Sequence, residues 1–268
     1  MGSISSIARH EPQRSQRAPA EVRRIPSDKQ LTAILQTFNT WAFKREQPSD
    51  LALLKRCVAR AVTEEEKISF VLYWGKGPRS EIAAPDLLCL DYLAALGARI
   101  KGSYSQGAEI SLVLTDTHAS LNGHSKENIS AYFSDVDCEA LKRGFRTFLL
   151  SEVTGAVGNY VSEQSCSPPS EAVLQRLVGS AERWYRGDGH PIDGARKYYQ
   201  MNMIERRAIE HFFPTSIFVT FNGSDQRDLF PEALPIFYMY SLRRGTSIKP
   251  WFLSGLPETA AAAADHRA

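Results

Sequence analysis

A short loop with two glycines and two cations follows the first strongly apolar segment of the chain. Residues 68–74 are almost all apolar or aromatic, and the loop after them reads Gly75-Lys76-Gly77-Pro78-Arg79. Glycine lets a backbone come close to a ligand, and Lys76 and Arg79 suit a phosphate or a carboxylate. We predict that Trp74 and this loop contact the substrate or cofactor. A plain tight turn is the alternative, because neither the Walker A nor the G-x-G-x-x-G pattern is complete.

A second apolar segment, residues 109–115, also ends in polar side chains: Asp116, His118 and Asn122. In Rossmann-type sites an acidic residue at the end of the second strand binds ribose hydroxyls, which is the role predicted for Asp116. If the strand continues, His118 points to the same side as Asp116. Asn122 would place an amide in the pocket. An Asx-turn beside a solvent-facing histidine is the alternative.

The third candidate strand, residues 145–150, ends at Ser151 and Glu152. We predict that these two residues contact the adenine or ribose of a nucleoside, and a surface ion pair is the alternative for Glu152. Residues 155–160 are interpreted as a glycine-containing loop at the same edge, so that Tyr160 overhangs the pocket. The aromatic residues around Tyr198 are assigned to the core.

A metal site is not predicted. Asp116 and His118 would need a third ligand, and His124 and His190 are the nearby candidates. The four cysteines are far apart in sequence and form no C-x-x-C pair, so neither a zinc site nor a disulfide framework is expected.

Strand and helix patterns alternate through most of the chain. Helical patterns at 85–95 and 128–143 separate the three strands, and this βαβαβ order predicts a parallel sheet with right-handed crossovers. Two more strands follow at 216–221 and 234–241, and the last is predicted to be antiparallel to its neighbour. The predicted fold class is α/β: a Rossmann-like twisted, mostly parallel sheet with helices on both faces and an N-terminal helical cap.

The cap is predicted from two amphipathic helices ahead of the first strand. The segment Ser27-Asp28-Lys29-Gln30 offers an N-cap for a helix over 31–41, and Asp50 is the N-cap of a second helix over 51–61. Trp41 lies where the first helix runs into an aromatic and cationic segment. The predicted organisation is a disordered leader (1–28), the helical cap (29–64), a Rossmann-like catalytic domain (65–256) and a flexible tail (257–268).

Composition restricts the class of function. The 268 residues are 43% hydrophobic and 10% aromatic, which is enough for a sizeable core. A net charge of +2 indicates neither nucleic-acid nor membrane-surface binding. No apolar run reaches the ~18 residues that a membrane helix needs. We expect a cytoplasmic enzyme with a small-molecule substrate, and a homodimer is left open.

Several segments resemble the isonitrile synthase family of bacterial and fungal secondary metabolism. They are residues 74–78 (WGKGP), Pro85-Asp86 at a helix start, residues 104–108 (YSQGA), Asp116 at a strand end, residues 213–217 (FPTSI) and residues 249–251 (KPW). The resemblance implies a Rossmann-like fold. It also implies an isonitrile synthase that acts on an amino acid with a pentose phosphate as carbon donor.

The chain also resembles the small bacterial enzymes that cyclise S-adenosylmethionine to azetidine-2-carboxylate. The likeness lies in the helical cap and in the aromatic and cationic segment 40–48 (TWAFKREQP). It provides the leading functional expectation, in which S-adenosylmethionine is the substrate and its own amine expels 5′-methylthioadenosine without a metal. Such a ring closure needs a folded substrate chain and a water-poor site.

Roles follow for this reaction. Tyr160 or Trp41 would hold the sulfonium by cation–π attraction, and Asn122 or Asp116 would orient the amine. Lys76 and Arg79 would hold the carboxylate. The alternatives are the isonitrile synthase and a non-catalytic Rossmann-like ligand-binding protein.

Overall fold

The computed structural model of the protein describes residues 26–75, 78–79, 81–157 and 168–239. Its helices are α1 (Asp28–Phe38), α2 (Leu51–Thr63), α3 (Ala84–Lys101), α4 (Asp116–Leu121), α5 (Lys126–Lys142), α6 (Leu150–Val157), α7 (Glu171–Trp184) and α8 (Pro191–Phe212). Its strands are β1 (Ile68–Trp74), β2 (Ala108–Leu114), β3 (Arg146–Leu149), β4 (Ile217–Thr220) and β5 (Ile236–Tyr238). A 3-10 helix spans Ser224–Leu229.

The five strands form one sheet in the order β3-β2-β1-β4-β5, and every neighbouring pair is parallel. This confirms the predicted α/β, Rossmann-like fold. The strand order reverses between β1 and β4, because the chain leaves β3 at one edge and returns beside β1. Open α/β sheets bind ligands at such a reversal, beyond the carboxyl ends of the strands.

The predicted antiparallel last strand is wrong, because β5 runs parallel to β4 with Val219 opposite Phe237. A parallel neighbour requires a crossover of about a dozen residues or more. Residues 221–235 supply it and include the 3-10 helix. The sequence between the two strands reads as a loop with no long helical pattern, and that favoured the wrong direction.

The outer edge of β5 is covered by the segment that follows α1. The backbone N–H of Arg45 donates to the carbonyl oxygen of Tyr238 at 2.8 Å, and that of Ser49 donates to Ile236 at 3.0 Å. An uncovered edge strand exposes unpaired backbone groups to other chains. The segment therefore closes this side of the sheet.

Both faces of the sheet are covered by helices, so alternate residues of β1 enter two different apolar clusters. Phe70, Leu72 and Trp74 pack with α1, α2, α3 and α5 on the first face. Val71 and Tyr73 pack with α6, α7 and α8 on the second face. This double burial explains why the strands are continuously apolar instead of alternating.

Helix α2 begins at the predicted residue, whereas α1 begins three residues earlier than predicted and ends at Phe38 instead of Trp41. The side chains of Ser27 and Asp50 accept hydrogen bonds from the third residue after them, as N-caps do. Both helices contribute to the first-face core, and α1 is anchored there by Phe38. The Phe38 ring is fully buried and contacts Phe70 of β1 and Phe237 of β5 edge-on, with centroids 5.5 and 5.6 Å away.

The proposed division into leader, cap, catalytic domain and tail stays a prediction, and residues 1–25 and 240–268 lie outside the described part of the chain. Within the described part, no helix combines the length and the apolar character needed to cross a membrane.

Replacing Phe38 tests whether α1 is an integral part of the core. Phe38→Ala removes a ring that joins α1 to two strands, and we expect it to lower the free energy of unfolding by about 3–5 kcal/mol. Urea denaturation measures this. Leu141→Ala is the control, because Leu141 is 57% exposed, and it should change stability by less than about 0.5 kcal/mol. A loss below about 1 kcal/mol for Phe38→Ala would mean that α1 is only loosely attached.

Candidate active site

A cavity of about 800 Å³ lies beyond the carboxyl ends of β1, β2 and β4, at the reversal of strand order. Its walls come from α4, α7 and α8, all on the second face or at its edge, and from the segment that follows β4. No residue of α1 or α2 is among the described residues that line it. This size is ordinary for a small-molecule site and is sufficient for two small ligands.

Gly75 and Thr115 close the edge of the cavity nearest the sheet. The Thr115 hydroxyl donates to the carbonyl oxygen of Trp74 at 3.2 Å, which ties the end of β2 to the end of β1. A Cβ built on Gly75 would lie 3.2 Å from the Thr115 hydroxyl oxygen. The predicted close approach at this glycine is therefore a contact with Thr115, and Gly75 also lines the cavity.

A histidine that lines the cavity contacts a buried glutamate, Glu205, which is not itself among the lining residues. The His118 Nε2 lies 2.6 Å from Oε2 of Glu205, and the Thr117 hydroxyl donates to Oε1 of the same carboxylate at 3.0 Å. Glu205 is only 2% exposed. A carboxylate at this depth is costly unless each oxygen is hydrogen-bonded, and here consecutive residues of α4 supply both partners.

Two tyrosines enclose the histidine. The rings of Tyr73 and Tyr198 meet the His118 ring edge-on, with centroids 6.3 and 5.1 Å away. Burial, and then the charge of Glu205, raises the pKa of Tyr73 well above its usual value. The same two causes raise the pKa of Tyr198 to about 12. Both phenols are therefore protonated donors at neutral pH.

The Tyr73 hydroxyl oxygen is buried and has no hydrogen-bond partner within the described part of the protein. Tyr73 lines the cavity, so a ligand there can supply the missing partner. A buried polar group without a partner is rare in native proteins, and it is a feature that binding sites explain.

Three arginines line the cavity, and none of the described lining residues is an aspartate or a glutamate. Arg79 pairs with the buried Asp86 at 3.1 Å, which is the one ion pair among the three. The guanidinium groups of Arg183 and Arg186 donate to backbone carbonyl oxygens and form no ion pair with a described carboxylate. Two uncompensated cations at the mouth favour an anionic ligand.

Gly123 helps to place Arg186. Its φ of 82° lies in the left-handed region, and a Cβ there would come within 3.2 Å of both the Cβ and the carbonyl oxygen of Arg186. The turn after α4 can therefore pack directly on the backbone of Arg186.

The neighbours of Gly123 in sequence, Asn122 and His124, also line the cavity. Burial lowers the pKa of the His124 imidazole.

Four of the predicted site residues reach the cavity: Gly75, Arg79, His118 and Asn122. His118 does so from helix α4, so the assumption that the second strand continues to it is wrong. The chain turns into a helix directly after Thr115. Three further predicted residues, Lys76, Gly77 and Tyr160, lie outside the described residues. Their predicted roles stay predictions.

The remaining predicted residues are not among those that line the cavity. The Asp116 carboxylate accepts a hydrogen bond from the backbone N–H of Ser151 at 3.0 Å, so it caps the start of α6. Ser151 and Glu152 are exposed on that helix. The loop predicted over 155–160 is wrong at its start, because α6 continues through Gly155 to Val157.

Both predicted tryptophans also lie away from the cavity. Trp74 is buried in the first-face core, where its Nε1 donates to the Tyr132 hydroxyl at 3.4 Å. Trp41 is 71% exposed, and the Lys44 ammonium lies 5.0 Å from its ring centroid.

Glu205, Tyr73, Arg183 and Arg186 belong to the site but are not predicted from the sequence, and Tyr198 is predicted to lie in the core. One signal was available, because Tyr198, Asn202 and Glu205 follow the i, i+4, i+7 spacing of one helix face. Polar residues on an otherwise apolar, buried helix face are typical of a binding or catalytic site. Among the described residues, no three His, Cys, Asp or Glu side chains are grouped so that they could hold a metal ion.

The fold is similar to that of the PvcA protein from Pseudomonas aeruginosa. The two superpose with a TM-score of 0.57 at 16% sequence identity, over 80% of this chain and 84% of that chain. At this identity the similarity concerns the fold. No protein-family model matches the chain, and comparison with curated proteins gave no significant match.

Removing the Tyr73 hydroxyl tests whether this group contributes to the stability of the folded protein. Tyr73→Phe takes away a buried hydroxyl with no partner, so the free energy of unfolding should stay the same or rise by up to about 1 kcal/mol. The matched control is Tyr104→Phe, because the buried Tyr104 hydroxyl donates to the carbonyl oxygens of Ala61 and Glu66 at 2.9 and 2.7 Å. The control should lose about 1 kcal/mol in chemical denaturation. An equal loss in both variants would show that the Tyr73 hydroxyl has a structural role.

Proposed function

We propose that this protein is an enzyme of the isonitrile synthase type, which acts on an amino acid and takes its carbon from a pentose phosphate. The observation that carries the proposal is the charge of the cavity: arginines at its mouth and no aspartate or glutamate among its described lining residues. The family resemblance of residues 74–78 and 104–108 supports the same reaction.

The layout of the cavity suits two ligands of different character. Arg183 and Arg186 lie on the exposed rim, where a phosphate can keep part of its hydration while it binds them. Deeper in, the walls are apolar or aromatic and include Phe218, Leu229 and Phe230. An amino acid with an apolar or aromatic side chain fits this inner part, with its amino group near the polar end of Tyr73 and His118.

The start of α8 adds to the preference for an anion. Gly194 and Ala195, in the first turns of this 22-residue helix, line the cavity. The N-terminal end of a helix carries a partial positive charge that favours anions by about 0.3–1 kcal/mol.

The S-adenosylmethionine cyclase stays a prediction that the cavity does not favour. Of the two aromatic residues predicted to hold the sulfonium, Trp41 is exposed away from the cavity and Tyr160 lies outside the described residues. The non-catalytic binding protein is also less favoured, because a ligand site alone does not need the buried pair of His118 and Glu205.

Ligand-induced stabilisation tests the proposed substrate class. Ribulose 5-phosphate at a hundredfold excess over its Kd should raise the free energy of unfolding by about 2.7 kcal/mol, because it binds the native state alone. Ribulose without the phosphate should give a much smaller shift in thermal melting. A clear shift with S-adenosylmethionine or methylthioadenosine, and none with the phosphorylated sugar, would contradict the proposal and favour the cyclase.

We expect Arg183 and Arg186 to be responsible for tighter binding of ribulose 5-phosphate than of ribulose. Arg183→Gln and Arg186→Gln should each weaken ribulose 5-phosphate binding roughly tenfold, which corresponds to about 1.4 kcal/mol, while ribulose binding stays the same. Isothermal titration measures both. Arg207→Gln on the exposed side of α8 is the control, since it makes the same charge change outside the cavity lining. If the control weakens binding as much, the effect is one of net charge and not of the rim.

A further inference from the structure

The contact between His118 and Glu205 fixes which nitrogen of the histidine is left for a ligand. Nε2 lies 2.6 Å from the Glu205 carboxylate, so a neutral His118 must carry its proton on Nε2 to donate there. The other carboxylate oxygen is held by the Thr117 hydroxyl, so the carboxylate cannot rotate away freely. Nδ1 is left as the unprotonated nitrogen, and it has no hydrogen-bond partner in the described part of the protein.

The surroundings keep the imidazole plane in place. Tyr73 and Tyr198 pack edge-on against it from β1 and α8, and His118 itself lines the cavity. A histidine that lines a cavity, with one nitrogen bound to a buried carboxylate and no described partner on the other, has the arrangement of a general base.

We propose that His118 is the general base of the site and that Glu205 is its positioning residue, a role that rests on the proposed function for its substrate. An amino acid enters as an ammonium. One proton leaves that ammonium for Nδ1, and the amine recovers the lone pair it needs to attack the sugar carbonyl. The imidazolium that forms keeps its Nε2–H on the Glu205 carboxylate, so the positive charge is balanced inside the wall. When the amine adds to the carbonyl carbon, the C=O π bond breaks and leaves an alkoxide oxygen, and Nδ1 returns the proton to that oxygen, which restores the neutral imidazole.

Three variants separate the two roles. His118→Gln should lower kcat with an aromatic amino acid and ribulose 5-phosphate by about a hundredfold or more, the usual contribution of a general base. Glu205→Gln should lower kcat by at least about tenfold, because the amide no longer holds a single tautomer. KM for ribulose 5-phosphate should change less than about twofold in both. Glu210→Gln is the control on the same helix; its carboxylate accepts from the backbone N–H groups of Glu232 and Ala233, and it should behave as wild type.

The tautomer of His118 can be determined by a measurement that does not depend on catalytic activity. Long-range ¹H–¹⁵N spectra of the histidine rings, recorded at pH 8.5, should show the wild-type His118 protonated on Nε2 and free on Nδ1. His118→Gln identifies its signals. Glu205→Gln should give a mixture of tautomers, and Glu210→Gln should give the wild-type spectrum.

Each result decides a different point. A wild-type kcat in Glu205→Gln, or a wild-type His118 protonated on Nδ1, overturns the proposal. Loss of ribulose 5-phosphate stabilisation in His118→Gln also overturns it, because His118 would then be a binding contact. If ribulose 5-phosphate does not stabilise the wild type, the proposed function fails, and the tautomer measurement alone decides whether Glu205 positions His118.

Discussion

Strand β1 pairs with β2 from Ile68 to Trp74 and with β4 from Phe70 to Leu72, and the candidate site depends on this double pairing. Because the chain moves outward from β1 on one side and later returns to its other side, no crossover covers the carboxyl ends between them. The cavity lies at this opening. The residue that faces it from β1 is Tyr73, because alternate side chains of a strand enter opposite faces of the sheet. Trp74, one residue later, is in the core on the other face.

The two faces of the sheet therefore have different roles. The first face holds α1, α2, α3 and α5 on an apolar cluster, and the buried carboxylate of α3, Asp86, is paired with the guanidinium of Arg79. The second face holds a polar group at depth, the Glu205 carboxylate, whose burial alone would be unfavourable by several kcal/mol. Thr117 and His118 compensate for it from a helix of one and a half turns. Such an arrangement is a poor way to stabilise a fold, since apolar residues of the same volume would do as well or better. It is more readily explained by a need for an oriented imidazole.

The sequence predicts the fold better than the site, for physical reasons that differ residue by residue. The pattern from Ile68 to Trp74 is strong because both faces of that strand are buried, and Ser27 and Asp50 mark helix starts because their side chains cap the backbone. The direction of β5 depends on the path of residues 221–235, which carry no periodic signal. Nothing in the types of Asp116 and His118 shows that the chain bends into a helix after Thr115, so a strand that continues as far as His118 is an equally good interpretation of the sequence. Glu205 is 87 residues from His118, and a glutamate in the middle of a helix resembles any solvated carboxylate.

The position of Asp116 shows why this fold does not imply nucleotide binding here. A Rossmann-like sheet usually offers an acidic residue near this place to ribose hydroxyls. In this protein Oδ1 of Asp116 accepts a hydrogen bond from the backbone N–H of Ser151, so the carboxylate stabilises the start of α6. Asp116 does not line the cavity, whose exposed cationic residues are Arg183 of α7 and Arg186 in the segment after it. Fold similarity at 16% identity carries no information on that difference, and function must be argued from the side chains. The cationic rim favours an anionic ligand, and the contact with Glu205 orients the imidazole of His118.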